Sequence, residues 1–351
     1  MNFIELRSDT CTKPTEAMKK AMYNAEVGDE GYKTDPTVIR LEELAAEKVG
    51  KEDAVFCVSG TMANMIGIMV QTFHADEIIC EDEGHIYWYE NSGLALLPNV
   101  QAVLVQGRHH RHLDPDDVRA VLKPFGPGPS RRLLCIENTH NRAGGTVMSV
   151  SQTAELCEIA HSNGLGVHLD GARIFNAAAA CGVDASKLTE QCDTLMFCLS
   201  KSLGAPMGSM LCGSKKLIDK ARAFRYSIGG RLRQSGIMAA AGIVALETMI
   251  DRLPEDHANA QILAQGVAGI PGLTIDLESV QTNIVKFEVT GLVVDAPGLV
   301  AALKPEGVMC TSHSKTQIRM VTHNDVSRAE VKEAIERLSK VAKENLKHRK
   351  S

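Results

Sequence analysis

The chain has 351 residues, 44% of them apolar and 23% charged, and a formal net charge of −5. That is enough apolar material for one large domain plus a smaller one. The mild acidity, without a basic face, argues against a nucleic-acid or polyanion partner.

The one basic run, Lys347-His348-Arg349-Lys350, reads as a solvated helix end. Met1 to Arg7 contains Glu5 and polar residues follow, so no secretory leader is expected. No stretch reaches the roughly 18 apolar residues of a membrane span. Ten cysteines are scattered without a CxxC pair or zinc-type spacing. They predict free thiols in a reducing, cytoplasmic compartment and no metal site.

In chain order, residues 54–58 form a short apolar strand ending at Ser59-Gly60-Thr61, and 62–71 a helix. Strands follow at 77–80 and 102–105, then a helix at 116–122 and a loop at Gly126-Pro127-Gly128-Pro129-Ser130. A strand at 133–137 ends in Asn138-Thr139-His140-Asn141. Residues 153–162 make an amphipathic helix with Leu156, Ile159 and Ala160 on one face. The strand at 166–169 stops at Asp170, and the strand at 194–199 stops at Ser200-Lys201. Residues 206–212 return as a hairpin partner, and 239–250 form an apolar helix. Beyond a charged stretch comes a second alternating set: a helix to about residue 269, strands at 274–277 and 284–289, a helix at 296–303, a strand at 317–320 and a helix at 328–346. Near-continuous apolar strands with helices between them predict an α/β domain with a mostly parallel sheet covered on both faces. A smaller α+β domain completes the chain. The predicted divisions are 1–15, a segment contributing to the site, 16–250, the large domain, and 251–351, the small one.

In such sheets chemistry collects at the carboxyl ends of the strands, where Asp170, Lys201 and His140 fall. Lys201 can shed part of its hydration there and act as a Schiff-base nucleophile, or stand as a solvated strand-end lysine. Asp170 can pair with a pyridinium nitrogen, or cap a helix or turn. Gly60-Thr61 joins a strand to a helix N-terminus and can cradle a phosphate, although such turns are frequent. His85 lies in the aromatic patch Gly84-His85-Ile86-Tyr87-Trp88-Tyr89. Its ring can stack on a flat cofactor or pack in a core. His140 can move a proton near neutral pH. Arg319, between Ile318 and Met320, faces solvent or clamps a carboxylate.

Longer motifs carry a resemblance. They are Leu6-Arg7-Ser8-Asp9-Thr10, Ser59-Gly60-Thr61-Met62-Ala63-Asn64, Glu137-Asn138-Thr139-His140-Asn141, His168-Leu169-Asp170-Gly171-Ala172-Arg173, Leu199-Ser200-Lys201 and Arg319-Met320-Val321-Thr322-His323. Over almost its whole length the chain resembles the low-specificity L-threonine aldolases, pyridoxal 5'-phosphate enzymes of fold type I in the β-eliminating lyase group. The resemblance implies Lys201 as the Schiff-base lysine, Asp170 at the pyridine nitrogen and Arg173 at the ring hydroxyl. It implies Gly60, Thr61 and Met62 around the phosphate and His85 stacked on the ring. Ser8 and Arg319 would hold the substrate carboxylate, and His140 would stand near its hydroxyl. Tyr32 and Arg233 match residues at sites shared between subunits of a homotetramer built from dimers. The implied reaction is cleavage of L-threonine or L-allo-threonine to glycine and acetaldehyde, with His140, His85 or a water as base. Racemisation or β-elimination on the same scaffold is the alternative.

Two stretches depart from the family pattern. Gly28-Asp29-Glu30-Gly31-Tyr32-Lys33-Thr34-Asp35-Pro36 has Lys33 in place of a glycine, which predicts a different turn, since lysine does not take positive φ cheaply. Arg225-Tyr226-Ser227-Ile228-Gly229-Gly230-Arg231-Leu232-Arg233-Gln234 has Tyr226 for a lysine and Arg231 for a glycine. Arg231 is expected to restore, near the cofactor phosphate, the charge lost at Tyr226. Ser202, where glycine is usual, is a milder change.

Overall fold

The computed structural model describes residues 3–108, 111–122 and 128–346. The basic run at 347–350 and the first two residues of the 126–130 loop lie outside these. The chain forms two compact units: Met1–Lys13, Gly144–Thr146 and Asp251–Ser351 in one, Pro14–Ala143 and Val147–Ile250 in the other.

The elements begin with β1 (Ile4–Glu5), α1 (Glu16–Tyr23), α2 (Pro36–Lys48), β2 (Asp53–Cys57), α3 (Gly60–Met69), β3 (Glu77–Glu81), α4 (His85–Trp88), α5 (Gly93–Leu96) and β4 (Gln101–Val105). There follow α6 (Pro115–Val121), β5 (Arg131–Glu137), α7 (Val150–Ser162), β6 (Gly166–Asp170), α8 (Ile174–Cys181), α9 (Ala185–Thr189), β7 (Thr194–Cys198), β8 (Ser209–Gly213), α10 (Lys215–Ser227) and α11 (Gly236–Thr248). The last are α12 (Leu253–Ala268), β9 (Ile284–Glu288), α13 (Ala296–Leu303), β10 (Val308–Met309), β11 (Thr311–Ser312), β12 (Gln317–Val321) and α14 (Arg328–Glu344).

The larger unit is built on a seven-stranded sheet in the order β2-β8-β7-β6-β5-β3-β4. Strand β8 runs antiparallel to both its neighbours, as expected of a hairpin partner, and the other pairs are parallel. Strands β3, β7 and β8 are buried throughout because helices cover both faces of the sheet, whereas the edge strand β4 is partly exposed. On one face Val55, Cys57, Met196, Cys198 and Leu211 meet Ala63 and Ile66 of α3 and Ile218 and Ala221 of α10. The alternate residues Ala54 and Phe56 turn to the other face, where α2 packs on β2 and β8 and against α11. The register sets Glu137 opposite Asp170 and Asp170 opposite Met196, so these strand ends share one edge.

The smaller unit pairs β1 with β10 in parallel and β9, β12 and β11 in an antiparallel sheet. Its core includes Leu263, Phe287, Leu299, Ile318 and Leu338. A strand expected at 274–277 is absent. Thr274 makes a single bridge to Glu288, and Asp276 then accepts the Glu278 N–H and starts a 3-10 turn, since a short aspartate competes with the ladder for backbone donors. Helices α1, α2 and α10 had no counterpart among the sequence predictions. Side-chain caps start each of them: Thr15, Asp35 and Ser214 accept from Met18, Val38 and Leu217 N–H groups.

Lys33 keeps the left-handed conformation a glycine would take, with φ 56° and ψ 41°. Asp29 imposes it. The Asp29 side chain accepts from Gly31 N–H at 2.7 Å, and its carbonyl accepts from Tyr32 and Thr34 N–H groups, both at 3.1 Å. Gly208, φ 103°, lies against Phe56, and a Cβ there would overlap the ring. Two opposite outcomes follow for equilibrium urea unfolding. Lys33→Gly should raise stability by up to about 1 kcal/mol through relief of strain. Gly208→Ala should lower it by roughly 2–3 kcal/mol through strain and overlap. Shifts of the same sign would contradict this account.

Candidate active site

Strand β6 carries Asp170 to the edge of the sheet, where it is buried. An uncompensated carboxylate there would cost several kcal/mol. Asn64 Nδ2 donates to Asp170 Oδ2 at 2.8 Å, and the Ala172 N–H donates to Oδ1 at 3.1 Å. Burial pushes the carboxyl up, but the His85 and Lys201 cations and these two donors hold it below the usual carboxylate range.

Asn64 stands on α3. The Ser59 side chain accepts from Met62 N–H at 3.2 Å, so this ten-residue helix starts just past β2. A Cβ on Gly60 would come within 2.8 Å of Met196 and 3.1 Å of Cys198, so glycine lets the helix begin close against β7. The first backbone N–H groups of such a helix can take an anion. Lys201 lies in the turn after β7, which the Gly204 N–H closes onto the Lys201 carbonyl at 2.8 Å.

His85 opens α4. Its backbone N–H donates to Glu137 Oε2 at 2.7 Å, and its Nδ1 lies 2.9 Å from Glu90 Oε1. Glu90 is buried, and its Oε1 also accepts from Asn64 Nδ2 at 2.9 Å. Ligand atoms of His85, Glu90 and Asp170 all lie within 4.8 Å of one another. Burial works against a charged His85 ring, but the Glu90 hydrogen bond and the Asp170 and Glu137 charges raise its pKa above the ordinary histidine value. Burial, by contrast, raises Glu90, against the lowering effect of its hydrogen bond to His85.

His140 is buried nearby in the chain fold, with both ring nitrogens engaged. Nδ1 accepts the Ala143 N–H at 3.2 Å, so Nε2 carries the proton towards Glu81 Oε2 at 2.9 Å. Arg111 Nε donates to Glu81 at 2.9 Å and its Nη2 to Asp82 at 2.6 Å. Arg142 lies 4.4 Å over Trp88 and donates to the Tyr89 hydroxyl at 3.0 Å. Arg173 caps α8, is buried, and places Nη1 3.5 Å from Asn141 Oδ1.

The two loops that depart from the family pattern are joined through Glu30. It accepts from Arg225, from the Leu232 N–H at 3.3 Å and from Ser235 Oγ at 3.3 Å. Arg231 stacks 4.9 Å over the Tyr226 ring, and a Cβ on Gly31 would overlap its guanidinium. Gly230 abuts Met62, at the start of α3. Tyr32 is 80% exposed, and the Arg233 side chain 74%.

The larger unit therefore brings together Lys201, Asp170 and His85, with the Gly60–Met62 turn on the helix that carries Asn64. Ser8 and Arg319 belong to the smaller unit. There Ser8 caps a 3-10 turn at Asp9–Cys11, and Arg319, half-buried on β12, places Nη1 3.5 Å from the Arg7 carbonyl. Sequence reasoning missed Glu90, Asn64, Glu81 and His168. Two signals were available: a histidine between Val167 and Leu169 in an apolar strand, and an acid closing the aromatic patch, since buried polar groups come with partners.

The β-eliminating lyase family matches residues 5–290 of the chain. The low-specificity L-threonine aldolase 1 of Arabidopsis thaliana is 40% identical over 336 residues, 94% of each chain. The low specificity L-threonine aldolase of Escherichia coli K12 is 39% identical over 331 residues, 94% of this chain and 96% of that one. Among solved structures, a Leishmania major threonine aldolase superposes with a TM-score of 0.82 at 18% identity, covering 96% of this chain and 99% of its own. A putative L-allo-threonine aldolase from Listeria monocytogenes gives 0.78 at 19% identity, covering 95% and 97%. At such identities the likeness shows the fold, that of fold type I.

The contact between His85 Nδ1 and Glu90 Oε1 gives a direct measurement. In a histidine NMR titration, Glu90→Gln should lower the His85 midpoint, because an amide removes the acceptor charge that favours the protonated ring. An unmoved or raised midpoint would show that Glu90 does not set it.

Proposed function

Since the chain belongs to the β-eliminating lyase family, we propose that it is a pyridoxal 5'-phosphate-dependent lyase that cleaves L-threonine and L-allo-threonine to glycine and acetaldehyde. The names of its relatives support the substrate. One observation carries the cofactor: a buried Asp170 carboxylate held ionised by Asn64, His85 and Lys201. Such an anion, with an amine beside it and a helix N-terminus close by, fits a protonated pyridine ring bearing an aldehyde and a phosphate.

In this reading Lys201 would hold the aldehyde carbon and Asp170 the ring nitrogen. Arg173 would face the ring hydroxyl, and His85 would stack on the ring. Gly60, Thr61 and Met62, with Arg231 and Arg233, would hold the phosphate. Ser8 and Arg319 would bind the substrate carboxylate, and Tyr32 and His140 would line the substrate side. Pyridoxal phosphate supplies a conjugated ring that takes up the electrons of the breaking Cα–Cβ bond. The chain supplies charge, orientation and proton transfer. Asp170 keeps the ring nitrogen protonated. Glu90 anchors His85 through Nδ1, so that the ring in its neutral form presents Nε2 to the β-hydroxyl proton. We favour His85 over His140 for this step because both His140 nitrogens already have partners.

A homotetramer built from dimers in a reducing, cytoplasmic compartment belongs to the same proposal. The exposed Tyr32 and Arg233 support sites shared between copies, and ten free thiols support the compartment. Among the described residues no helix is long and apolar enough to cross a membrane.

Purified protein should show the visible absorption of bound pyridoxal phosphate and release acetaldehyde from L-threonine but not from D-threonine. Lys201→Ala should lose both the visible band and turnover. A colourless protein, or one that racemises L-threonine without aldehyde release, would refute the assignment. Arg231→Ala should weaken pyridoxal phosphate binding about tenfold or more, since one hydrogen bond to a charged group contributes roughly 1.5–3 kcal/mol. Unchanged affinity, measured by equilibrium titration, would remove Arg231 from the phosphate site.

A further inference from the structure

Behind Asp170 lies a buried row of side chains that the proposed chemistry leaves unused. Gln71 Nε2 lies 2.7 Å from Thr194 Oγ1, and Thr194 Oγ1 lies 2.8 Å from His168 Nδ1. His168 Nε2 lies 3.0 Å from Asn64 Oδ1. Asn64 Nδ2 then reaches both Asp170 Oδ2 and Glu90 Oε1. Thr194 and His168 are fully buried and Asn64 nearly so.

The polarity of this row is determined from its end. Two carboxylates need donors, so Asn64 must turn its amide nitrogen to them and its oxygen to His168. His168 must therefore carry its proton on Nε2, which makes Nδ1 an acceptor. Thr194 must donate to Nδ1, and its lone pair accepts from Gln71. Each member has one orientation that satisfies both neighbours. Burial agrees with a neutral ring, pushing His168 down to about 4. The helix leaves room for that ring, because a Cβ on Gly67 would overlap it.

We propose that Thr194, His168 and Asn64 are positioning residues: a one-directional row of hydrogen bonds that aims two amide protons at Asp170 and Glu90 and so keeps the Asp170 carboxylate in place for the ring nitrogen of the cofactor. This rests on the cofactor assignment above. The row acts at a distance, since Thr194 reaches Asp170 only through His168 and Asn64. Loss of its hydroxyl leaves His168 Nδ1 without its donor, so the ring, and through it the Asn64 amide, is held less firmly against the two carboxylates.

Two measurements test it. In the ¹⁵N-histidine-labelled holoenzyme, His168 should be the Nε2–H tautomer and should not titrate between about pH 6 and 8; an Nδ1–H tautomer, or titration in that range, would overturn the proposal. In the second, Thr194→Val should bind pyridoxal phosphate roughly tenfold more weakly, the size of one lost buried hydrogen bond. The ¹⁵N signal of labelled cofactor should move towards that of an unprotonated ring, and Thr194→Ser should restore both. Valine and serine variants that match the unsubstituted protein, or that are weakened alike, would also overturn it. Should the valine variant not fold, the serine variant must still match the unsubstituted protein, and the tautomer decides. If the unsubstituted chain binds no pyridoxal phosphate, the cofactor assignment fails instead, and the tautomer of the apoprotein judges the row by itself.

Discussion

A negative charge buried at the edge of a sheet constrains everything around it. Asp170 is shielded from water, so its ionised form persists only because groups from four segments converge on it: Asn64 from α3, His85 from α4, the Ala172 N–H from the turn after β6, and Lys201 from the turn after β7. Removing one partner of such a charge costs more than forming it returned, because the remainder stays buried. The neighbouring acids follow the same rule. Glu137 accepts the His85 and Asn141 N–H groups, Glu81 accepts from His140 and Arg111, and Glu90 accepts from His85 and Asn64. Carboxylates along one edge repel one another, and these donors turn that repulsion into a set of tethers for the loops above the sheet.

The topology makes the convergence possible. Strands β2 and β3 are successive in the chain but lie far apart in the order β2-β8-β7-β6-β5-β3-β4. Helix α3 must therefore cross the intervening strands, and it packs on β8, β7 and β6 on the way. A residue on its inner face can reach the end of β6, which is how Asn64 meets a residue 106 positions later. Parallel strands also bring their carboxyl ends to one side, so Glu137, Asp170 and the turn holding Lys201 follow from strand direction alone.

That explains what was legible in the sequence. Apolar runs stopping at polar residues located the strands and put Asp170, Lys201 and His140 on their ends, and the hairpin return of β8 could be read from its glycines. Helices α1, α2 and α10 went unread because their faces are heavily charged and their signals lie in capping residues rather than in apolar runs. The 274–277 segment misled because an aspartate in an alternating run starts a turn. Within the site, partners could not be read, since hydrogen bonds between positions 64, 90 and 168 depend on tertiary placement that no spacing encodes. His140 illustrates the limit. Its place on a strand end was legible, whereas the capture of its Nε2 by Glu81, 59 positions earlier, was not.

The departures from the family pattern sort by the same logic. Lys33, Tyr226 and Arg231 lie in the two loops joined through Glu30, apart from the donors to Asp170. Tyr226 and Arg231 stack on each other, and Arg231 needs the space that Gly31 leaves, so positions 31, 226 and 231 behave as one set in which a change at one alters what the others tolerate. Lys33 occupies a strained conformation that Asp29 enforces through three backbone contacts, and the joint through Glu30 ties that loop to Arg225 and Ser235. The strain at Lys33 and the charge of Arg231 thus sit in two loops that are fastened to each other through Glu30. The buried edge has little freedom to change, because the donors from Asn64, His85 and Ala172 serve carboxylates that cannot be left without them.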